Sequence, residues 1–344
     1  MSLILAIETS CDDTSVAVIR DGAVLSNIIS SQPIHNEWGG IVPELASREH
    51  VKAIGPITRE ALKGASVSLD DIDVIAVTNG PGLPGSLLVG TQFAKGLALR
   101  HNKPLIPIHH IEAHLYSGYL EDHTLSFPSI CLVVSGGHTS LFLIESFNSF
   151  KVLGSTKDDA AGEAFDKIAK MLGLGYPGGP HVDRLASAGD AHAINFPRGL
   201  LTDEGFDFSF SGLKTAVRYY LRDHPQHNIN DVCASAQRAI VDVLVAKTIR
   251  AAESRNVAAV TIAGGVSANS ELRARMSKEC VEMGLPFAAP RMEYAVDNAA
   301  MIGFLAEARN TSTESNVKRS LGIGAELSHT DLSFSIEPRA LRSR

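Results

Sequence analysis

Two histidines at a four-residue spacing are the first residues in the chain that could do chemistry. His110 and His114 fall on one face of a predicted helix, where two imidazoles can bind a single metal ion. Glu112 lies between them but points about 160° away, at roughly 100° per residue. A zinc protease of the H-E-x-x-H type needs its glutamate beside the metal-bound water. The spacing therefore favours a metal site over a protease, and a helix with three exposed polar residues is the alternative.

A third protein ligand would have to come from another part of the chain, because a stable site usually needs at least three. Asp297 is the best distant candidate. It precedes a predicted helix that is rich in alanine and glycine, and such a helix can pack close to another helix. The alternative is that Asp297 is an ordinary N-cap. Two histidines and a carboxylate suit iron(II) or zinc without choosing between them.

Two glycine pairs follow predicted strands and could contact a ligand through the backbone. Gly136-Gly137 comes after Ser135 at a strand end, where N–H groups can approach an anion closely. Gly264-Gly265 ends a later strand and would let a flat ring lie against the backbone, with a helix predicted to start near Asn269. The alternatives are a plain hairpin turn for the first pair and an N-capped strand–helix turn for the second.

An acidic segment opens another predicted helix, with Asp158 or Asp159 as its N-cap. Asp166 lies on this helix, and a carboxylate near a nucleotide commonly holds ribose hydroxyls. The loop Gly175-Pro180 follows, where rigid backbone could meet a ligand. A solvated helix face and a helix terminator are the respective alternatives.

The length and composition indicate a protein of about two domains that is expected in the cytoplasm. The chain has 344 residues, of which 44% are hydrophobic and 20% charged. No segment approaches the roughly 20 apolar residues of a membrane span, and the first residues enter a strand pattern without the features of a signal peptide. The four cysteines form no C-x-x-C pair, which fits a reducing compartment.

The net charge of -7 argues weakly against a protein that binds nucleic acid alone, because phosphate contacts need local positive charge. A basic patch or a partner could supply that charge. Lys214, Arg218 and Arg222 recur at four-residue spacing and could form a basic stripe on a helix. The alternative is an ordinary solvated helix face.

The predicted elements that must position these residues occur twice along the chain. A strand at Leu3-Ile7 is followed by a turn, a returning strand and helices. The strand at Ser129-Ser135 is followed by the turn Gly136-His138, a returning strand and further helices. The repeat predicts a duplicated α/β domain with a cleft between its lobes.

The chain resembles a known family from about residue 3 to about residue 325, and seven segments, in order along the chain, carry the resemblance. They are Glu8-Thr14, His110-His114, Ser135-Thr139, Gly162-Lys167, Phe208-Thr215, Gly264-Asn269 and Asp297-Asn298. Together they resemble the TsaD family, the tRNA threonylcarbamoyladenosine transferases. The combination is highly specific, although each segment alone is moderate evidence.

The resemblance implies a fold and a set of site residues. The fold would be α/β, with two ribonuclease-H-like lobes of the actin, Hsp70 and sugar-kinase type around a central nucleotide cleft. Lobe I would span 1–129 with return helices at about 297–325, and lobe II would span 130–296. The implied metal ligands are His110, His114 and Asp297, and the implied adenylate-binding positions are Val133, Val134, Ser135, Gly136, Gly137, Asp166, Gly179, Asp183 and Asn269.

The resemblance also implies a reaction and its participants. Threonylcarbamoyl-adenylate and tRNA would give AMP and N6-threonylcarbamoyladenosine at position 37, in tRNAs that read codons beginning with A. One divalent metal per subunit is implied, with Fe²⁺ favoured and Zn²⁺ possible. The implied partners are a TsaB-like paralogue and a TsaE-like ATPase, and no membrane. The alternatives are a sugar or carboxylate kinase of the same fold, with Asp12 or Asp13 as catalytic carboxylate, and a non-catalytic chaperone-like nucleotide switch.

Overall fold

A computed structural model describes residues 2–38, 41–120, 122 and 124–312 of the chain. The predicted return segment beyond residue 312, and the tail after Ser328 that the sequence indicates to be irregular, lie outside the described residues. None of the helices in these ranges is both long enough and apolar enough to cross a membrane.

The described residues form two five-stranded sheets of the same design. The strands are β1 (Leu3–Glu8), β2 (Asp13–Arg20), β3 (Ala23–Ser31), β4 (Val74–Gly80), β5 (Leu105–His109), β6 (Ser129–Val134), β7 (Thr139–Ser146), β8 (Ser149–Ser155), β9 (Ala259–Ala263) and β10 (Phe287–Ala288). The orders are β3-β2-β1-β4-β5 and β8-β7-β6-β9-β10. In each sheet the first three strands are antiparallel and the last two run parallel to the first. The duplicated α/β domain predicted from the sequence is therefore confirmed.

Ten helices connect and cover the sheets within the described residues. They are α1 (Pro43–Gly64), α2 (Pro84–His101), α3 (His110–Leu115), α4 (Ala161–Met171), α5 (Gly178–Ala186), α6 (Ser211–Asp223), α7 (Ile229–Arg255), α8 (Ser270–Glu282), α9 (Met292–Ala295) and α10 (Ala299–Ser312).

A helical layer lies between the two sheets and shares a core with both. Ile4 and Ala17 of the first sheet and Cys131 and Val133 of the second belong to one buried cluster with Met301 of α10. Helices α1 and α2 cover the opposite face of the first sheet, and α4 to α8 pack over that of the second. Burial of this apolar surface stabilises the sheets against the middle layer, so residues of α3 and α10 are held between the two lobes.

Helix α10 approaches the first sheet closely because it carries a glycine at the contact. A Cβ at Gly303 would lie 2.6 Å from Ile19 and 3.1 Å from Ala6. The sequence predicted close packing of this helix against another helix; it does touch α3, but the glycine faces strands β1 and β2. This contact fixes the direction in which the start of α10 points.

One predicted cap is wrong. Helix α4 begins at Ala161, and its N-cap residue Ala160 has no side-chain acceptor, so neither Asp158 nor Asp159 caps it. The Asp158 carboxylate instead accepts hydrogen bonds from Ser209-Ser211, at the start of α6. A carboxylate satisfies whichever helix start the fold brings near it, and the pairing of these two segments depends on tertiary structure.

Candidate active site

The two histidines of the predicted metal site lie on a short helix that starts directly after strand β5. His109 ends the strand, and its ring accepts a hydrogen bond from the Glu112 amide (3.4 Å), which caps α3. His110 and His114 are both buried, with ring centroids 4.7 Å apart and ring planes at 86°. One turn of helix therefore presents two imidazoles to the same point, as the four-residue spacing predicts.

Asp297 reaches this point from a position 183 residues after His114. Its Oδ1 lies 3.0 Å from His114 Nε2 and 3.3 Å from His110 Nε2. The interpretation of Asp297 as an N-cap is wrong, because the cap of α10 is Asn298, whose Oδ1 accepts from the Met301 amide (3.0 Å). The carboxylate of Asp297 is thereby left to face the histidines.

The three side chains fit a metal ion. Each offers one ligand atom, and these atoms all lie within 4.8 Å of one another. Ligands bound at about 2.1 Å and separated by 90–110° would be about 3.0–3.4 Å apart, which matches the two distances from Asp297. The Asp297 side chain is 30% exposed, so the group is open on one side. His110, His114 and Asp297 could therefore hold a metal ion and leave positions for a substrate.

Glu8 is a further site residue, to which the sequence analysis gave no role. It ends β1 with no exposed surface. Its Oε2 lies 3.0 Å from His110 Nδ1 and accepts from Thr78, and its Oε1 accepts from the Ser10 amide at 2.5 Å. A carboxylate on Nδ1 fixes the ring and its tautomer and leaves Nε2 to act as a ligand. The sequence did contain a signal for Glu8, namely a carboxylate at the end of an apolar strand. Such a charge is expected to be buried and therefore to need a partner.

The electrostatics of the cluster are those of a cation site. Burial alone would lower the pKa of His110, but the carboxylates of Glu8 and Asp297 raise it well above the usual histidine value. Burial would raise the pKa of both carboxylates, yet the His110 imidazole keeps them below their usual range. Without metal, a proton on His110 lies between two negative groups. A metal ion at Nε2 would replace that proton, so binding would release it.

Glu112 points away from this cluster. Its Oε2 lies 2.5 Å from Nη2 of Arg309 on α10, and both side chains are mostly buried. The described structure thus gives Glu112 a helix-to-helix ion pair, on the side of α3 opposite the histidines. This agrees with the angle predicted from the sequence and leaves no base of the protease type at the metal position.

Among the glycines of the second lobe that present bare backbone to open space are four that belong to the predicted glycine pairs and loop. A Cβ added at any of them would meet no atom within 4 Å; they are Gly136, Gly137, Gly179 and Gly265. The turn that contains the first two is closed by a hydrogen bond from the Ser135 amide to the His138 carbonyl (2.8 Å). Val133 and Val134 are buried in β6, so they could contact a ligand only through their main chain.

Two other glycines bring separate segments onto this turn. A Cβ at Gly162 would lie 2.5 Å from the Ser135 carbonyl, and one at Gly264 would lie 2.6 Å from the Val134 carbonyl. Gly264 also has a φ of +83°, a conformation that favours glycine. The start of α4 and the turn after β9 therefore meet at the end of β6, which assembles one surface from three parts of the chain.

The predicted polar residues of the second lobe lie at helix starts and already hold backbone or side-chain partners. Asp166 accepts from the Gly178 amide (2.7 Å) at the start of α5, and burial raises the pKa of its carboxyl. Asp183 accepts from Asn269 (3.2 Å) and from the Ser270 hydroxyl (2.7 Å). Asn269 itself caps α8, accepting from the Leu272 amide (3.0 Å). The structure thus joins Asp183 to Asn269 and places Asp166 beside the Gly178-Gly179 backbone.

Solved structures of other proteins share this architecture. HypF of T. kodakarensis superposes with a TM-score of 0.61 at 16% identity, covering 90% of this chain and 48% of that chain. Component A of the Acidaminococcus fermentans (R)-2-hydroxyglutaryl-CoA dehydratase superposes with a TM-score of 0.54 at 13% identity, covering 90% of this chain and all of that chain. These likenesses concern the fold alone, and they confirm the predicted class of two ribonuclease-H-like lobes of the actin, Hsp70 and sugar-kinase type.

The sequence itself matches a family model and many curated proteins. The TsaD model, described as tRNA N6-adenosine threonylcarbamoyltransferase, matches residues 23–304. A protein of that name from Clostridium botulinum is 50% identical over 332 residues, 93% of this chain and 98% of its own. Another from Desulfotalea psychrophila is 53% identical over 309 residues, 87% of this chain and 90% of its own. The chain is therefore a transferase and belongs to the TsaD family.

Proposed function

We propose that this protein transfers the threonylcarbamoyl group from threonylcarbamoyl-adenylate to N6 of adenosine 37, in tRNAs that read codons beginning with A. The products would be N6-threonylcarbamoyladenosine and AMP. The observation that carries the proposal is the convergence of His110, His114 and Asp297, in a chain that belongs to this family. A sugar kinase of the same fold has no need of such a histidine pair.

The proposed metal is one divalent ion per chain, bound by His110, His114 and Asp297, with iron(II) favoured and zinc possible. When bound, it would act as a Lewis acid on a phosphate or carbamoyl oxygen. Glu8 would hold the His110 ring through Nδ1 so that Nε2 keeps its direction. The substrate is already activated as a mixed anhydride, and therefore no protein nucleophile is required.

The proposed adenylate site lies on the second lobe. Its residues are Val133 and Val134 through their main chain, Ser135, Gly136, Gly137, Asp166, Gly179, Asp183 and Asn269. The bare amides at Gly136-Gly137 suit an anionic phosphate, and the carboxylate of Asp166 suits ribose hydroxyls. Lobe I would comprise 1–129 with the return from about 297, and lobe II 130–296. In this proposal the metal would lie on one side of the cleft and the nucleotide on the other.

The reaction forms a bond between N6 and the carbamoyl carbon and breaks the bond from that carbon to the phosphate oxygen. The phosphate leaves with the electron pair as AMP, and N6 loses a proton to water. The protein must hold N6 against the carbon and stabilise the charge that develops on the oxygens. Backbone amides at the Ser135 turn are neutral donors that need no reorganisation for this task.

The proposed partners are a TsaB-like paralogue and a TsaE-like ATPase. The net charge of -7 supports a need for partners in RNA binding. Helices α1 and α2 also expose large apolar side chains, namely Val51 (64%), Leu88 (58%) and Leu99 (71%). Exposed apolar surface of this kind is typical of a protein interface. We expect little or no multiple turnover by the protein alone.

Depletion of the protein in cells tests the function directly. Nucleoside analysis of bulk tRNA should show loss of threonylcarbamoyladenosine while other anticodon-loop modifications remain. Unchanged threonylcarbamoyladenosine, in cells with no second copy of the enzyme, would refute the proposal. ATP turnover with a sugar acceptor, or ATP turnover alone, would support the kinase or the nucleotide switch in its place.

A further inference from the structure

Helix α6 presents a basic and aromatic face to solvent. Leu213 and Val217 are buried on its inner side. Arg218, Tyr219 and Arg222 lie on the outer side and are exposed. The sequence predicted this stripe from the four-residue spacing of the basic residues, with an ordinary solvated face as the alternative. The structure adds an aromatic ring to the stripe.

Two guanidinium groups, those of Arg218 and Arg222, lie over the ring of Tyr219. The centroid is 5.5 Å from Cζ of Arg218 and 5.0 Å from Cζ of Arg222, and Tyr219 remains 47% exposed. Such contacts hold the cations close to an aromatic surface. The arrangement places an exposed aromatic ring next to two positive charges, a combination that binds unpaired bases and phosphates together.

The charge of this face is free to meet an anion. No carboxylate lies within 4.0 Å of Arg218 among the described residues, and Arg222 pairs only with its neighbour Asp223, with 67% of its side chain exposed. Exposed ion pairs are weak, so a phosphate can replace the carboxylate. The helix contains three basic residues and one acidic residue, in a chain whose net charge is -7. A local positive face on an acidic protein suits an anionic partner.

The helix is also fixed next to the proposed adenylate site. Asp158 accepts from the Phe210 amide (2.8 Å) and the Ser211 hydroxyl (2.7 Å) at the start of α6. Three residues later, the Ala161 amide donates to Thr139 (2.8 Å) at the end of the Ser135 turn. This short chain of contacts joins the start of α6 to the turn.

We infer that the outer face of α6 binds the tRNA substrate, with Arg218 and Arg222 on phosphates and Tyr219 stacked on an unpaired base. Lys214, one turn earlier on the helix and 4.0 Å from the Asp159 carboxylate, extends the same stripe. This inference rests on the proposed function, since it assigns the surface that receives the tRNA. An RNA suits the face better than an acidic protein does, because unpaired bases stack on aromatic rings and on the planes of guanidinium groups.

The test uses the full-length protein with the partners that give threonylcarbamoyladenosine, and a fluorescently labelled tRNA that reads a codon beginning with A. The variants are Tyr219→Leu and the double variant Arg218→Gln/Arg222→Gln. The matched control is Arg255→Gln/Lys278→Gln, which removes two exposed charges elsewhere in the same lobe. Binding is measured by anisotropy at several salt concentrations, and KM for tRNA and kcat are measured in the same mixture.

We expect the double variant to weaken tRNA binding at least tenfold and to lower the slope of log affinity against log salt by about 1.4, the value for two phosphate contacts to single-stranded nucleic acid. Tyr219→Leu should weaken binding by about tenfold, the order of one lost stacking contact, with the slope unchanged. In both, KM should rise while kcat and the affinity for AMP stay as in the wild type.

Affinity and KM within twofold of the control would overturn the inference while leaving the proposed function intact. A variant that loses a protein partner and keeps normal tRNA affinity would also overturn it, and would make α6 a protein-docking face. Failure of the wild-type mixture to form threonylcarbamoyladenosine would instead refute the proposed function. Thermal unfolding and AMP affinity equal to the wild type show that each variant is folded.

Discussion

The two lobes share a strand order, but different groups lie at the ends of their first strands: a buried carboxylate in the first lobe and a glycine-rich turn in the second. At the end of β1, the buried carboxylate of Glu8 holds His110 and turns back onto the Ser10 amide. At the end of β6, the Ser135 turn offers glycine and backbone. One topology therefore supports a charged cluster in the first lobe and a neutral backbone surface in the second.

The contrast has a physical reason. A buried charge is unfavourable unless it is paired, so the carboxylates near β1 require a cation, whether a proton on His110 or a metal ion. Backbone amides carry no net charge, so the turn after β6 can accept an anion without a large rearrangement. The end of β1 therefore suits a metal ion, and the turn after β6 suits an anionic nucleotide.

Asp297→Ser should have the largest effect, because it removes a ligand and a negative charge from the cluster. Loss of groups that only orient a ligand costs about 10–100-fold, so loss of the ligand itself should exceed about 100-fold in activity, with the metal lost as well. Metal content by mass spectrometry and threonylcarbamoyladenosine formation are the measurements. The control Glu293→Ser removes an exposed carboxylate four residues earlier. Full occupancy and full activity in the Asp297 variant would remove this residue from the metal site.

Glu8→Gln should come next, at about 10–100-fold in metal affinity, the range for a residue that orients a ligand. The substitution keeps the shape but takes away the charge that faces His110 Nδ1. Titration of the apo-protein with metal measures the affinity, with Glu44→Gln on the exposed face of α1 as control. Wild-type affinity would mean that the first lobe does not depend on buried charge.

Asp166→Ala tests the second lobe. The expected cost in adenylate affinity is about 1.5–3 kcal/mol, that of a hydrogen bond to a charged group. Calorimetry with a stable adenylate analogue measures the affinity. Glu163→Ala, one turn earlier on α4 and 44% exposed, is the matched control. Equal affinities for the two variants would make Asp166 only the residue that holds the start of α5.

Gly136→Ala should have a smaller effect, about 1 kcal/mol on adenylate affinity, at the low end for added volume at a packed contact. The new methyl group meets nothing in the protein, so the free energy of unfolding should not fall. Gly96→Ala, on α2 and also in open space, serves as the control. Undiminished adenylate affinity would show that the nucleotide does not lie against this turn.

Sequence periodicity was sufficient for the two strand–turn–strand units and for the His110–His114 face, since both depend on local spacing. The sequence also offered Asp297 as a distant carboxylate, but it could not decide between ligand and cap. That choice depended on its neighbour Asn298, whose amide oxygen takes the cap. Local sequence patterns identify the residues that could cap a helix, but the tertiary structure determines which of them does.

Other features depended on contacts between distant segments, which spacing does not encode. The bond from Glu8 to His110 joins residues 102 positions apart. The carboxylate of Asp158 crosses to the start of α6, although it directly precedes α4. The spacing of residues in the sequence predicts neither pairing. Each is seen only from the strand order and the helix packing.

Glu112→Gln should have the smallest effect on activity. It shows whether metal binding depends on any carboxylate of the first lobe or only on those in the cluster. Glu112 lies on the same helix as both histidines, yet it pairs with Arg309. A glutamine can still accept a hydrogen bond from that guanidinium but leaves its charge without a carboxylate in a mostly buried pair, so the free energy of unfolding should fall by about 1–3 kcal/mol. Metal content and transferase activity should equal those of the wild type, and no protease activity should be present to lose. Thermal unfolding measures stability, metal analysis measures metal content, and incubation with a glycoprotein substrate measures protease activity. Cleavage of the glycoprotein by wild-type protein, abolished in Glu112→Gln, would place a general base beside the metal and contradict the geometry of α3.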